Sequence, residues 1–252
     1  MGAFTALLLS SALLLPAPGP AQTHYVALGD SYAAGVGAGD YDPSSGSCER
    51  SFNAYPALWA QEHRDASAQT VACSGASTAE VLNGQLGALG PDTTLVSISV
   101  GGNDIGFTEV LTTCVLGSDS ACKAKVDGAV AVVNGRLGAD LDRTYRAIRD
   151  KAPAAKLVVV GYPRLFEDGP CGGGLSAAKR SALNAGADEL ARVTSERATA
   201  AGAVFADARP VFAGHGVCGA QPWINSVVFP VDGSFHPNAE GQAAYLRVLD
   251  AS

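Results

Sequence analysis

Basic residues are scarce in this chain of 252: Lys and Arg total 17 against 24 Asp and Glu, for a formal net charge of −7, and none occurs before Arg50. No segment concentrates positive charge, which argues against a nucleic-acid partner. There is no Cys-x-x-Cys pair, no His-Glu-x-x-His and no calcium-loop pattern. A zinc site or a metal-assisted reaction therefore has no ligands to stand on. No Gly-x-Gly-x-x-Gly follows the first apolar strand, and Gly35-x-Gly37-x-Gly39 lacks the lysine of a phosphate loop. A nucleotide is not indicated, and no cofactor is expected. The one long run, Phe4 to Leu15, is too short to span a bilayer comfortably, so no stable membrane anchor is expected.

That run precedes Pro16-Ala17-Pro18-Gly19-Pro20-Ala21, with a small-x-small pattern at its end. It reads as a signal peptide over residues 1–21, although the positive n-region is absent. The remaining residues, 22–252, suffice for one domain with a sizeable core. Six cysteines, Cys48, Cys73, Cys114, Cys122, Cys171 and Cys218, all lie beyond the leader. An even count in an exported chain points to three disulfides, and pairing neighbours is the simplest of the allowed connectivities.

Five short apolar segments read as parallel strands: Tyr25–Leu28, Thr70–Ala72, Leu95–Val100, Lys156–Val160 and Ala203–Ala206. β-Branched runs such as Leu157 to Val160 are typical of strands buried on both faces. Helical spacing is expected over Ala54–Arg64, Val126–Lys151, Ala177–Ala201 and Asn238–Leu249. Strands alternating with helices imply an α/β layered fold.

In such folds ligands meet the carboxyl ends of the strands. Four polar clusters fall at those ends: Asp30-Ser31, Cys73 to Ser77, Gly101 to Asp104, and Asp232 to His236. Ser31 is the candidate nucleophile, since a serine hydroxyl attacks only when a base takes its proton; the competing reading is a helix N-cap. The base is sought among four histidines. His24 lies at the wrong end of its strand, His63 in a charged helix as a solvated residue, and His215 in a Gly-rich loop as the one competitor to His236. An acceptor must orient the other ring nitrogen, and Asp232 or a backbone carbonyl at Gly233 or Ser234 qualifies. Backbone N–H groups of Ser31 and Gly75 and the Asn103 amide are candidate donors to an oxyanion. Asp30 reads as a structural acceptor behind the nucleophile. Tyr32, Ile105 and Phe107 are candidate substrate contacts. Val110 and Leu111 extend that apolar stretch, as an acyl groove or as the buried face of a helix.

These residues resemble the GDSL, or SGNH, hydrolase family, and more closely its secreted streptomycete-type lipases and esterases. Leu28-Gly29-Asp30-Ser31-Tyr32 is similar to the family's first block, with Tyr32 where a leucine often stands. Gly75, Gly101-Gly102-Asn103-Asp104 and His236 match the later blocks. The resemblance implies a three-layer α/β/α, flavodoxin-like fold with a central five-stranded parallel sheet. It also implies disulfides Cys48–Cys73, Cys114–Cys122 and Cys171–Cys218. The family commonly has an aspartate three residues before the histidine, where this chain has Gly233. Similar secreted members use a main-chain carbonyl, so the Ser234 carbonyl is favoured over Asp232.

The expected activity is a secreted serine ester hydrolase acting on fatty-acyl esters, possible phospholipid A1-type hydrolysis included. Its partners are an ester or lipid substrate and water, with at most transient contact with a lipid interface, and the chain is expected to be monomeric. The alternatives are a carbohydrate acetylesterase of the same family and a non-catalytic secreted binding module.

Overall fold

The computed structural model describes residues 1–2, 22–171 and 174–252. The leader expected over residues 1–21 thus lies outside the described residues, apart from its first two. Five parallel strands form one sheet: β1 (His24–Gly29), β2 (Ser67–Thr70), β3 (Leu95–Ser99), β4 (Lys156–Val160) and β5 (Val204–Ala206), in the order β2-β1-β3-β4-β5. The chain leaves β1 towards β2 on one side and later returns to β3 on the other. That reversal opens a crevice at the carboxyl ends of β1 and β3.

Side chains of β1 alternate between two cores. Tyr25 and Ala27 face one layer, with Trp59 and Tyr245; Val26 and Leu28 face the other, with Leu141, Tyr145 and Leu190. The helices are α1 (Ser31–Ala34), α2 (Tyr55–Glu62), α3 (Thr78–Glu80), α4 (Phe107–Leu116), α5 (Asp119–Val132), α6 (Gly138–Lys151), α7 (Ala177–Ala200), α8 (Arg209–Phe212) and α9 (Ala239–Asp250). α2 and α9 supply the first layer, and α6 and α7 supply the second. No described helix is long and apolar enough to cross a membrane.

Three elements depart from expectation. β2 runs over Ser67–Thr70 rather than Thr70–Ala72. It is an exposed edge strand, so polar residues occupy it and the apolar signal appears only beyond its end. Val71 N–H still bonds the Ala27 carbonyl at 2.9 Å, so the chain keeps following β1. The helix expected from Val126 starts at Asp119, capped by the Ser118 hydroxyl, and reaches Lys151 through a wider turn at Val133–Leu137. Its first turns are exposed except for half-buried Ala121 and buried Cys122 and carry no apolar stripe. His63 does not sit in a solvated helical turn. It follows the last residue of α2, is half-buried, and stacks on Trp59 with ring centroids 4.0 Å apart.

Three disulfides join Cys48–Cys73, Cys114–Cys122 and Cys171–Cys218. The first ties the loop after β1 to the loop that carries Gly75.

Candidate active site

The site is assembled from the carboxyl ends of β1 and β3 and from the loop before α9. Gly29 ends β1 at φ 128°, and a Cβ there would lie 2.3 Å from the Ser99 carbonyl oxygen. Only glycine lets β1 and β3 approach this closely. Asp30 follows and caps α1, accepting from Tyr32 N–H at 3.0 Å. The cap is therefore Asp30, and Ser31 opens the helix with its hydroxyl free for another partner.

That partner is His236. Its Nε2 lies 2.7 Å from Ser31 Oγ, and its Nδ1 lies 3.0 Å from the Ser234 carbonyl oxygen. The carbonyl fixes Nδ1 as the protonated nitrogen and leaves the Nε2 lone pair facing the serine. Asp232 is exposed, and its carboxylate has no hydrogen bond among the described residues. Burial pushes the His236 imidazole down to about 4, against the raising effects of the Ser234 carbonyl and the Asp232 charge. The ring is thus neutral at neutral pH and able to accept a proton. The other three histidines are engaged elsewhere. His24 Nδ1 pairs with the Ser67 hydroxyl, His63 stacks on Trp59, and His215 stacks on Trp223 with centroids 3.4 Å apart.

Three groups at the mouth can donate to an oxyanion. Ser31 N–H stands in the first turn of α1, where no helical acceptor exists. Gly75 adopts φ 79°, a left-handed turn that presents its backbone with open space where a side chain would be. Asn103 Nδ2 donates to the Ala76 carbonyl at 3.0 Å, which orients the amide and leaves its second N–H. The same two loops are joined again through Asp104, whose carboxylate accepts from Thr78 N–H at 3.0 Å. Ser31, Gly75, Asn103 and His236 border one open groove.

A second, largely apolar cavity runs inward from Ser31 and Asn103 between α4, α5 and α7. Ile105, Phe107, Val110, Val130, Leu183 and Leu190 line it. Val110 is thus both a core residue of α4 and a cavity wall, and Leu111 plays the same double part at the open groove. Tyr32 also lines the cavity, but its hydroxyl is committed to the Phe235 carbonyl.

Sequence reasoning did not single out Tyr162. Its hydroxyl donates to Asp30 Oδ2, and Gly102 N–H donates back to it at 3.3 Å. Tyr162 therefore bridges the loops that carry Ser31 and Asn103. Its one signal is its place just beyond β4, at the crevice. Burial raises the Asp30 carboxyl to about 7, although Tyr162 and Tyr32 N–H both favour its charged form. Asn225 is a second brace, donating to the carbonyls of Gly37 and Gly233 at 3.0 and 3.1 Å behind the histidine.

A serine paired to a neutral imidazole, with candidate oxyanion donors and an apolar cavity on a parallel sheet, is an arrangement suited to ester hydrolysis. Residues 27–244 match the GDSL-like lipase/acylhydrolase family. A lipase from Streptomyces coelicolor is 50% identical over 90% of this chain and 86% of its own. The crystal structure of an extracellular lipase from Streptomyces rimosus superposes with a TM-score of 0.89 at 51% identity, covering 91% of this chain and 99% of the other. That of a phospholipase A1 from Streptomyces albidoflavus also gives 0.89, at 48% identity and 92% and 99% coverage. The chain belongs to the GDSL-like lipase/acylhydrolase family.

Proposed function

We propose that the protein is a secreted serine esterase that cleaves fatty-acyl esters, phospholipid esters among them, through an acyl-enzyme on Ser31. The observation that carries this reading is the 2.7 Å contact between Ser31 Oγ and His236 Nε2 at the mouth of an apolar cavity. His236 takes the serine proton as Oγ attacks the ester carbonyl. Charge then develops on the carbonyl oxygen, where Ser31 N–H, Gly75 N–H and the Asn103 amide receive it. The leaving alcohol collects the proton from His236. Water repeats the sequence and releases the fatty acid. The Ser234 carbonyl holds the ring tautomer throughout, and Asp30 acts as scaffold rather than proton carrier.

Substrate class follows from the cavity lining. Ile105, Phe107 and Val110 offer an acyl chain apolar contact and offer a sugar no hydrogen bonds. Residues 1–21 act as a cleaved export leader and 22–252 as the mature domain. Six cysteines paired as disulfides fit an oxidising destination. The test is a series of p-nitrophenyl esters from acetyl to palmitoyl. Medium and long chains are turned over with the higher kcat/KM. Turnover confined to acetyl contradicts the reading and favours a carbohydrate acetylesterase.

A further inference from the structure

Isolated apolar side chains on a surface need no explanation, but a contiguous patch does. Val115, Leu116, Val227, Val228, Phe229 and Val231 make up most of the large apolar side chains exposed among the described residues. They come from two places only: the last turn of α4 and the loop before His236. Val115 and Leu116 on one side and Val227 and Val231 on the other line the same groove as Ser31 and His236. Phe229, between Val227 and Val231 in the same loop, is 94% exposed. The catalytic groove therefore opens through an apolar collar.

The collar is braced. Val228 N–H donates to the Ser234 hydroxyl at 3.0 Å, and Ser234 N–H donates to the Val231 carbonyl at 2.9 Å. Ser234 is also the residue whose carbonyl orients His236. The exposed loop and the histidine are thus held by one residue, and the apolar edge is a fixed part of the site.

What covers this collar in use must also deliver substrate, because the collar encloses the entrance to Ser31. Its charge narrows the choice. No Lys or Arg borders the groove among the described residues; Asp232 does, and the whole chain carries −7. An anionic surface would be repelled and would find no cation to hold it. We propose that the protein works seated on the surface of a zwitterionic phospholipid membrane, with Phe229 and the collar resting among the lipids and the groove facing them. Acyl esters then pass from the surface to Ser31 without crossing water. This rests on the fatty-acyl reading above and adds to it a fixed docking surface.

Binding is tested apart from turnover in Ser31→Ala protein with phosphatidylcholine vesicles. That protein sediments with the vesicles, gains no affinity when anionic phosphatidylglycerol is added, and binds roughly tenfold more weakly with Phe229→Ser, the loss expected for one apolar ring kept in water. In otherwise native protein, Phe229→Ser leaves kcat/KM for p-nitrophenyl acetate, a dissolved monomer, within about twofold, and loses most activity on vesicle phospholipid. Phe229→Trp keeps vesicle binding, and its emission moves to the blue on mixing. Equal binding by the Phe229→Ser protein, emission from Trp at that position unmoved by vesicles, or tighter binding to anionic vesicles overturns the proposal. So does self-association that Phe229→Ser abolishes while vesicle binding stays. If no long-chain ester is cleaved even when dispersed below its aggregation limit, the substrate reading fails instead.

Discussion

The Tyr32 hydroxyl donates to the Phe235 carbonyl oxygen at 2.7 Å, across 203 positions of sequence. It joins the helix that begins with Ser31 to the residue beside His236. Phe235 is held at φ 59°, a conformation uncommon for a residue with a side chain, so the loop needs such restraint. Tyr32 also packs against the His236 ring, with centroids 5.1 Å apart.

Tyr32→Phe keeps the ring and removes the strut. The buried Phe235 carbonyl loses its partner, which costs about 1–3 kcal/mol of stability. Turnover falls about tenfold with KM little changed, because the contact aligns Ser31 and His236 rather than binding substrate. Urea unfolding and steady-state kinetics on one soluble ester check both.

Activity is expected to extend to unusually acid pH. The proposed mechanism needs neutral His236 in the free enzyme, and burial lowers its titration from the ordinary 6.5 to about 4. The acid limb of kcat/KM for an uncharged ester has its midpoint near that lower value. A midpoint at the ordinary value would mean that the ring is not desolvated in the working enzyme.

Two buried groups pull stability in opposite directions with pH. His236 titrates lower in the folded than in the unfolded chain, so between about 4 and 6.5 the unfolded state binds more protons and stability rises with pH. Asp30 titrates higher when folded, so between 3.8 and about 7 the folded state binds more protons and stability falls with pH. The two largely cancel in the intact protein. Asp30→Asn therefore gains stability relative to the native chain as pH rises from about 4 to about 7, and His236→Asn loses it, each by up to about 1.4 kcal/mol per pH unit. Urea midpoints across that window are the measurement.

Asn103→Ala removes the amide proposed as an oxyanion donor and the tie to Ala76. Turnover falls on the order of a hundredfold to a thousandfold. KM changes little, since the ground-state carbonyl needs the donor less than the tetrahedral intermediate does. A rise in KM alone would place Asn103 in binding.

Legibility in the sequence followed burial. β3 and β4 are read easily because both faces are covered and Val, Ile and Leu make up most of their residues. β2 is misread because an exposed edge strand of Ser67, Ala68 and Gln69 carries no apolar signal. Ser31, Gly75 and Asn103 can be singled out because each sits in a short motif beyond a strand end, and His236 because its motif lies just before the last helix. Tyr162 cannot, since its meaning lies in Asp30, 132 positions away across the sheet. The apolar collar is equally silent: Val227 to Val231 lacks helical or strand periodicity, and only the fold reveals that it faces the groove with Leu116.

The central claim is that Ser31 carries the acyl group. The protein mixed with p-nitrophenyl decanoate and quenched in acid before turnover is complete is digested and weighed by mass spectrometry. One decanoyl group on the peptide containing Ser31, absent from a folded Ser31→Ala variant that has also lost esterase activity, is the result expected. An acyl group on another residue, or undiminished hydrolysis by Ser31→Ala, contradicts the account.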